Sequence, residues 1–173
     1  MAIAAGLVIL AASTWLSVAE PWQGPRSADA ALGRRMLAIQ QAPALSGQVC
    51  VQADEEPPIV LLALGQSNAG NHGADDRAAA ATGQSAALTL FVAGKCHQAV
   101  DPLPGSTGRH YSIWTRVNAM LGPSPSARRI VWAVMGVDAT GIDDWTRASS
   151  PLRNRLAALL GDLKASGLNT SLI

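Results

Sequence analysis

The sequence predicts an α/β fold, a three-layer α/β/α sandwich built around a mostly parallel sheet. Three continuous apolar runs, at 59–64, 88–92 and 130–135, have the length and character of buried parallel strands. Apolar residues at helical spacing follow the second and third runs, over 113–121 and 151–166. Strands that alternate with helices in this way are typical of doubly wound sheets.

Composition indicates one folded domain. The chain has 173 residues, of which 49% are hydrophobic and 14% charged. That is enough apolar material for a core and too little charge for a disordered chain. The net charge of +1 comes without a basic stripe, so we expect no nucleic-acid partner. His72, His97 and His110 lack ligand-like spacing, and we expect neither a metal nor a cofactor.

The N-terminal segment predicts export. Residues 1–19 carry no charged side chain and end in Ser17-Val18-Ala19, small residues of the kind that a signal peptidase reads. We therefore expect a periplasmic or secreted protein. No Lys or Arg precedes the apolar stretch, and its length approaches that of a membrane span, so an uncleaved membrane anchor is the alternative. Residues 20–44 are predicted to form a linker and an N-terminal helix over 28–41, and residues 45–173 the main domain.

The remaining elements follow from local signals. Residues 49–52 are a short strand candidate, and residues 97–109 are predicted to form a long loop. Pro151 is suited to open the last helix, and Gly167 to cap it. Cys50 and Cys96 fit an exported protein. A disulfide between them would lower the entropy of the unfolded chain and so stabilise the fold by roughly 3–4 kcal/mol. Two separate buried thiols are the alternative.

Polar and glycine-rich segments follow each predicted strand. Ser67 comes directly after the first strand, the 101–108 loop follows the second, and the 136–141 turn follows the third. Because the carboxyl ends of parallel strands meet at one edge, these segments could share one rim. A serine on a glycine-flanked turn after a strand is where an α/β hydrolase presents its nucleophile. An ordinary helix N-cap at Ser67 is the alternative reading of the turn.

Three segments together resemble a known family. Residues 65–68, G-Q-S-N, resemble the first block of the SGNH hydrolases, in the sialate O-acetylesterase and acetylxylan esterase branch. Residues 101–103, followed by 112–114 and a helix, are similar to the D-P-L segment of that branch. Residues 139–145 are similar to its G-G-T-S-I-x-x-W segment. The resemblance covers about residues 45–173 and implies a flavodoxin-like sheet.

The resemblance also implies an activity and a site. Ser67 would be the nucleophile that attacks an acetyl ester of a carbohydrate, or another small ester. The backbone N–H of Ala139, where the family has glycine, would help to hold the oxyanion. Gln66, Asn68 and Thr140 are candidate binding positions, and Asn68 is also suited to brace the turn.

One block of the family has no counterpart in this sequence. The family continues into a D-x-x-H block that supplies the catalytic acid and base, whereas this sequence ends at Ile173 without one. We therefore expect a C-terminally incomplete domain with little or no esterase activity. His110 is a weak candidate for a substitute base, and His72 is interpreted as a surface or supporting residue. A non-catalytic exported module that binds carbohydrate or the cell envelope is the alternative function. In a domain that lacks its last strands, we also expect the 130–135 strand to lie at an exposed edge of the sheet.

Overall fold

The computed structural model describes residues 25–39, 41, 47–51, 56–73, 88–121 and 128–168. The predicted leader, 1–19, lies outside these residues. The described chain is α/β, with helices and an open four-stranded sheet that is mostly parallel. Within the described ranges, none of the helices has the length and hydropathy needed to cross a membrane.

Most helices and strands lie close to their predicted positions, but the short helix Ile142–Thr146 and the strand Lys95–Ala99 were not predicted. The predicted helix over 28–41 begins earlier and ends earlier than expected, at Pro25 and Leu37. A short 3-10 turn, Ser67–Ala69, follows the first strand. In chain order the elements are α1 (Pro25–Leu37), β1 (Ile59–Gly65), β2 (Leu88–Val92), β3 (Lys95–Ala99), α2 (Ile113–Leu121), β4 (Ile130–Gly136), α3 (Ile142–Thr146) and α4 (Pro151–Ala165).

The strand order is β1-β4-β2-β3, which places β4 inside the sheet. Strand β4 runs parallel to β1 from Ile130, opposite Ile59, to Gly136, opposite Gly65, and pairs with β2 on its other side. The expectation of an exposed edge at 130–135 is therefore wrong. All residues of β4 after Ile130 are buried. A strand that is apolar on both faces gains most from a position where both faces are covered.

The loop predicted over 97–109 is a second expectation that is partly wrong. The segment predicted as a loop over 97–109 begins as the second half of β3, which pairs antiparallel with β2. The two strands are joined by Ala93 (φ 50°) and Gly94 (φ 77°). Two consecutive positive φ angles are typical of the tight hairpin turn that matches the twist of the strands. The strand predicted at 49–52 is reduced to a single bridge between Gln48 and Cys96, and Gln52 lies outside the described residues.

Alternate residues of β4 belong to two hydrophobic clusters. Val131 and Ala133 pack in a cluster that includes helix α4, and Trp132 and Val134 pack in a cluster that includes helix α2. The rings of Trp132 and Trp114, from α2, lie 5.6 Å apart. Because successive side chains of a strand point to opposite faces, α2 and α4 contact β4 through different sets of side chains.

A disulfide and a well-capped helix secure the α4 side. Cys50 and Cys96 are joined, with their Cα atoms 5.1 Å apart, and both are buried in the cluster beneath α4. Helix α4 starts at an N-cap, Ser150, whose side chain accepts a hydrogen bond from the Leu152 N–H. It ends before Gly167, which has a positive φ of 73° suited to a helix terminus.

Candidate functional site

The carboxyl ends of β1 and β4 meet at one edge of the sheet. Gly65 and Gly136, the last residues of these strands, are register partners. The Val137 N–H donates to the Gly65 carbonyl over 2.9 Å, so the pairing continues into the turn after β4. The Ser67 turn and the 136–141 turn consequently lie side by side. We call this edge the Ser67 rim.

Ser67 opens the 3-10 turn directly after β1. The turn is closed by the Gly70 N–H, which donates to the Ser67 carbonyl over 3.0 Å. Ser67 is half-buried, and its neighbours Gln66 and Asn68 are exposed. The Trp114 indole N–H of α2 donates to the Ala69 carbonyl over 2.9 Å and supports the turn from one side. Ser67 is thus presented at the surface by a turn that is fixed from beneath.

Gly136 allows the Ser67 turn to pack directly on the end of β4. A Cβ atom at Gly136 would lie 2.5 Å from both the Ala69 carbonyl carbon and the Gly70 nitrogen. Real Cβ atoms do not approach backbone atoms so closely. The absence of a side chain at this position therefore sets the distance between the turn and the sheet.

Asn71 is a buried anchor that the sequence analysis did not identify. Its side chain forms a closed pair with the backbone of Leu103: the Asn71 amide donates to the Leu103 carbonyl over 2.9 Å, and the Leu103 N–H donates to Asn71 Oδ1 over 2.8 Å. The Asn71 N–H donates to the Thr107 carbonyl over 2.8 Å. These three bonds join the segment after Ser67 to the 101–108 loop.

The same loop is joined to β4. The Thr107 N–H donates to the Gly136 carbonyl over 2.8 Å, and the Gly136 N–H donates to the Ser106 hydroxyl over 3.0 Å. The Asp138 N–H donates to the Thr107 hydroxyl over 3.0 Å. Ser106 and Thr107 are fully buried. Their hydroxyl groups therefore serve the backbone of the rim rather than a ligand.

His72 and Asp138 form a side-chain pair on the Ser67 rim. His72 Nε2 lies 2.7 Å from Asp138 Oδ1, and each side chain is about one-third exposed (34%). The Asp138 Oδ1 atom itself is buried and has no hydrogen-bond partner, so the two groups are in close contact but are not aligned as a hydrogen bond. His72 was interpreted from the sequence as a surface or supporting residue. Only the fold brings these distant positions together, so no local pattern indicated the pair.

The predicted oxyanion donor, Ala139, lies in the turn that follows β4. It is exposed, has a positive φ of 50°, and its carbonyl accepts a hydrogen bond from Arg35 Nη1 of α1 over 2.8 Å. Thr140, a predicted binding residue, is buried instead. Its hydroxyl donates to the Val137 carbonyl over 2.7 Å and accepts the Trp145 indole N–H over 3.1 Å. Thr140 thus braces the turn.

His110 and Asp101 lie beside the rim in different roles. The His110 N–H donates to the Asn71 carbonyl over 3.0 Å, and the residue is exposed. Asp101 accepts hydrogen bonds from the Ser112 N–H over 3.0 Å and the Thr115 hydroxyl over 2.7 Å at the start of α2. Burial raises the pKa of Asp101 above its ordinary value, and these two hydrogen bonds oppose that rise. Asp101 is a structural carboxylate of the α2 terminus.

A cavity of about 290 Å³ lies between α4 and the sheet, apart from Ser67. Phe91, Val134 and Leu159 form apolar parts of its wall, and Arg155 and Asp162 are charged residues of its lining. Neither Ser67 nor His72 contributes to it. Among the residues that the structure describes, there is no cluster of three or more His, Cys, Asp or Glu side chains placed to hold a metal ion.

Comparisons with known proteins found no matching family model, curated protein or solved structure. The resemblance to the SGNH hydrolases therefore stays a prediction from the three sequence segments alone. Two of the three contribute directly to the Ser67 rim, namely residues 65–68 and residues 139–145. The third segment, 101–103, supplies the Leu103 backbone that holds Asn71.

Proposed function

We propose that residues 45–173 form an SGNH-type ester hydrolase domain, a three-layer α/β/α sandwich that removes O-acetyl groups from carbohydrate. Ser67 is its nucleophile. The observation that carries the proposal is the position of Ser67 on a braced turn at the carboxyl end of β1, beside the end of β4. A hydroxyl presented in this way can attack an ester carbonyl that approaches from solvent.

The backbone of Ala139 supports the assignment of an oxyanion donor. The family has glycine at this position, and glycine adopts positive φ without strain. Ala139 has a φ of 50° and therefore takes up a backbone conformation of the kind that a glycine would. Arg35 donates to the Ala139 carbonyl, which belongs to the following peptide unit, and so restrains the turn in which the Ala139 N–H lies.

Exposed polar groups on both sides of Ser67 favour a polar substrate. Gln66 and Asn68 flank the nucleophile, and their side chains are exposed to solvent. Amide groups of this kind can donate to and accept from sugar hydroxyl groups. Export, predicted from residues 1–19, would bring the domain into contact with extracellular or envelope carbohydrate.

The test is acetate release from an O-acetylated glycoside by the full chain, compared with Ser67→Ala. Ser149→Ala is the matched control, because Ser149 is exposed and lies outside the rim. In contrast to the low esterase activity expected from the sequence, the proposal predicts turnover that is lost in Ser67→Ala and kept in Ser149→Ala. If the chain instead binds saccharide equally well with and without the Ser67 hydroxyl and releases no acetate, the non-catalytic carbohydrate-binding module is favoured.

A further inference from the structure

We infer that His72 and Asp138 are the acid–base pair of the Ser67 site, with His72 as general base and Asp138 as its positioning carboxylate. This inference deepens the proposed ester hydrolysis and rests on it. A histidine and a carboxylate lie in contact on the rim that carries Ser67.

The backbone around His72 is fixed on both sides. The Asn71 N–H donates to the Thr107 carbonyl over 2.8 Å, and the Gly73 N–H donates to the Tyr111 carbonyl over 2.7 Å. Asn71 is fully buried. A side chain that projects from such a support keeps its position without reorganisation, which is what a general base requires.

The imidazole lies against the turn that carries Ser67. His72 Cδ2 is 3.3 Å, and the Ser67 carbonyl oxygen 3.4 Å, from the position that a Cβ of Gly70 would occupy. On its other side, His72 Nε2 is 2.7 Å from the position of a Gly108 Cβ, and Gly108 has a positive φ of 91°. The two glycines leave the space that the ring occupies, with Cδ2 toward Gly70 and Nε2 toward Gly108.

The contact with Asp138 places a carboxylate beside one nitrogen of the ring. His72 Nε2 and Asp138 Oδ1 are 2.7 Å apart, but the contact is not aligned as a hydrogen bond. A rotation of the imidazole that aligns a proton on Nε2 with the carboxylate leaves the lone pair of Nδ1 as the acceptor. The Asp138 backbone is held by the Thr107 hydroxyl, so the carboxylate is itself positioned by the framework of the rim.

Each proton that is transferred is returned within one catalytic cycle. His72 Nδ1 accepts the Ser67 hydroxyl proton, directly or through one water molecule, while Ser67 Oγ bonds to the ester carbonyl carbon. The carbon–oxygen bond to the alcohol breaks, and His72 returns the proton to the departing oxygen. Water then bonds to the acyl carbon and gives a proton to His72. The bond to Ser67 Oγ breaks, Oγ recovers the proton, and the products are the alcohol and the carboxylic acid.

The experiment compares kcat and KM for acetate release from an O-acetylated glycoside in wild type, His72→Gln, Asp138→Asn and His110→Gln. We expect kcat to fall about 10²- to 10⁴-fold in His72→Gln, as for loss of a general base, with KM unchanged. Asp138→Asn should lower kcat by a smaller factor, also without a change in KM. His110→Gln, which removes the other histidine beside the rim, should retain the wild-type kcat.

Chemical rescue separates catalysis from structure. His72→Ala supplemented with free imidazole should regain part of its kcat after subtraction of the imidazole-only rate, which a purely structural role of His72 would not allow. Thermal unfolding shows whether each variant is folded. If His72→Gln does not fold, the kcat of Asp138→Asn and the imidazole rescue test the role of His72 instead. Wild-type kcat in His72→Gln, with Ser67 still required, overturns the inference and leaves the proposed function standing. A loss in His110→Gln instead transfers the role to His110. Absence of Ser67-dependent turnover in wild type overturns both.

Discussion

The inner and outer parts of the Ser67 rim are built from opposite kinds of residue. The inner framework consists of Asn71, Ser106, Thr107 and Gly136, all buried, with every polar group described above bonded to backbone. The outer positions, Gln66, Asn68 and Ala139, are exposed. The geometry of the Ser67 turn is therefore fixed by buried residues beneath the surface. Substitutions in the framework should act first on stability, and substitutions outside it on binding or turnover.

The largest expected effect is that of Asn71→Leu. The substitution keeps the number and branching of the side-chain heavy atoms but leaves the buried N–H and carbonyl of Leu103 without the partners they have in Asn71. Two unsatisfied buried groups should lower the free energy of unfolding by roughly 2–5 kcal/mol. Asn68→Leu is the control, because Asn68 is exposed; it should change stability by no more than about 0.5 kcal/mol. Equilibrium denaturation in urea measures both, and equal effects would remove the distinction between inner and outer residues.

Two glycine substitutions should have opposite signs. In Gly136→Ala the new Cβ meets backbone atoms at 2.5 Å, so overpacking should cost about 1–3 kcal/mol and displace the Ser67 turn. Gly161 lies within α4, where a Cβ would meet nothing within 4 Å. Gly161→Ala should therefore stabilise the protein by roughly 0.5–1 kcal/mol. Thermal denaturation provides the comparison; a tolerated Gly136→Ala would mean that the turn does not pack on β4 as described.

The smallest expected effect concerns Asp101 and depends on pH. Burial raises the pKa of Asp101, so the folded protein binds this proton more tightly than the unfolded chain does. Its contribution to stability is fully present below the pKa of the unfolded state and is lost as pH rises through the folded value. Asp101→Asn removes this dependence, and its stability relative to wild type should improve as pH rises from about 3 to 7. Urea denaturation across that range is the measurement. A relative stability that falls with pH would contradict the sign.

The comparison between inner and outer residues also shows how far the sequence could lead. Strands β1, β2 and β4 were predictable because each is a continuous apolar run. The position of Ser67 in the turn after β1 was predictable for the same reason. Strand β3 was missed because Lys95 to Ala99 lacks a clear alternation and its turn, Ala93-Gly94, lacks the usual Asn-Gly signal. Local sequence signals predict each element separately and do not show which elements lie next to each other in the fold.

The features that the sequence did not reveal all depend on distant partners. Asn71 becomes an anchor only through Leu103, 32 positions away. The pairing of His72 with Asp138 requires β1 and β4 to be adjacent, and strand order is decided by packing of the whole sheet. For the same reason the exposed edge was predicted at the wrong strand. Cys50 and Cys96, by contrast, offered few choices, because the chain has only two cysteines.

The central claim is that Ser67 is an activated nucleophile, and covalent labelling tests it most directly. The full chain would be treated with a fluorophosphonate, which reacts with activated serine hydroxyl groups, and the modified peptide identified by mass spectrometry. The account predicts stoichiometric labelling at Ser67, little at exposed Ser149, and a slower rate in His72→Gln. Labelling that is absent, or spread evenly over exposed serines, would contradict the assignment of Ser67 as the nucleophile of an esterase.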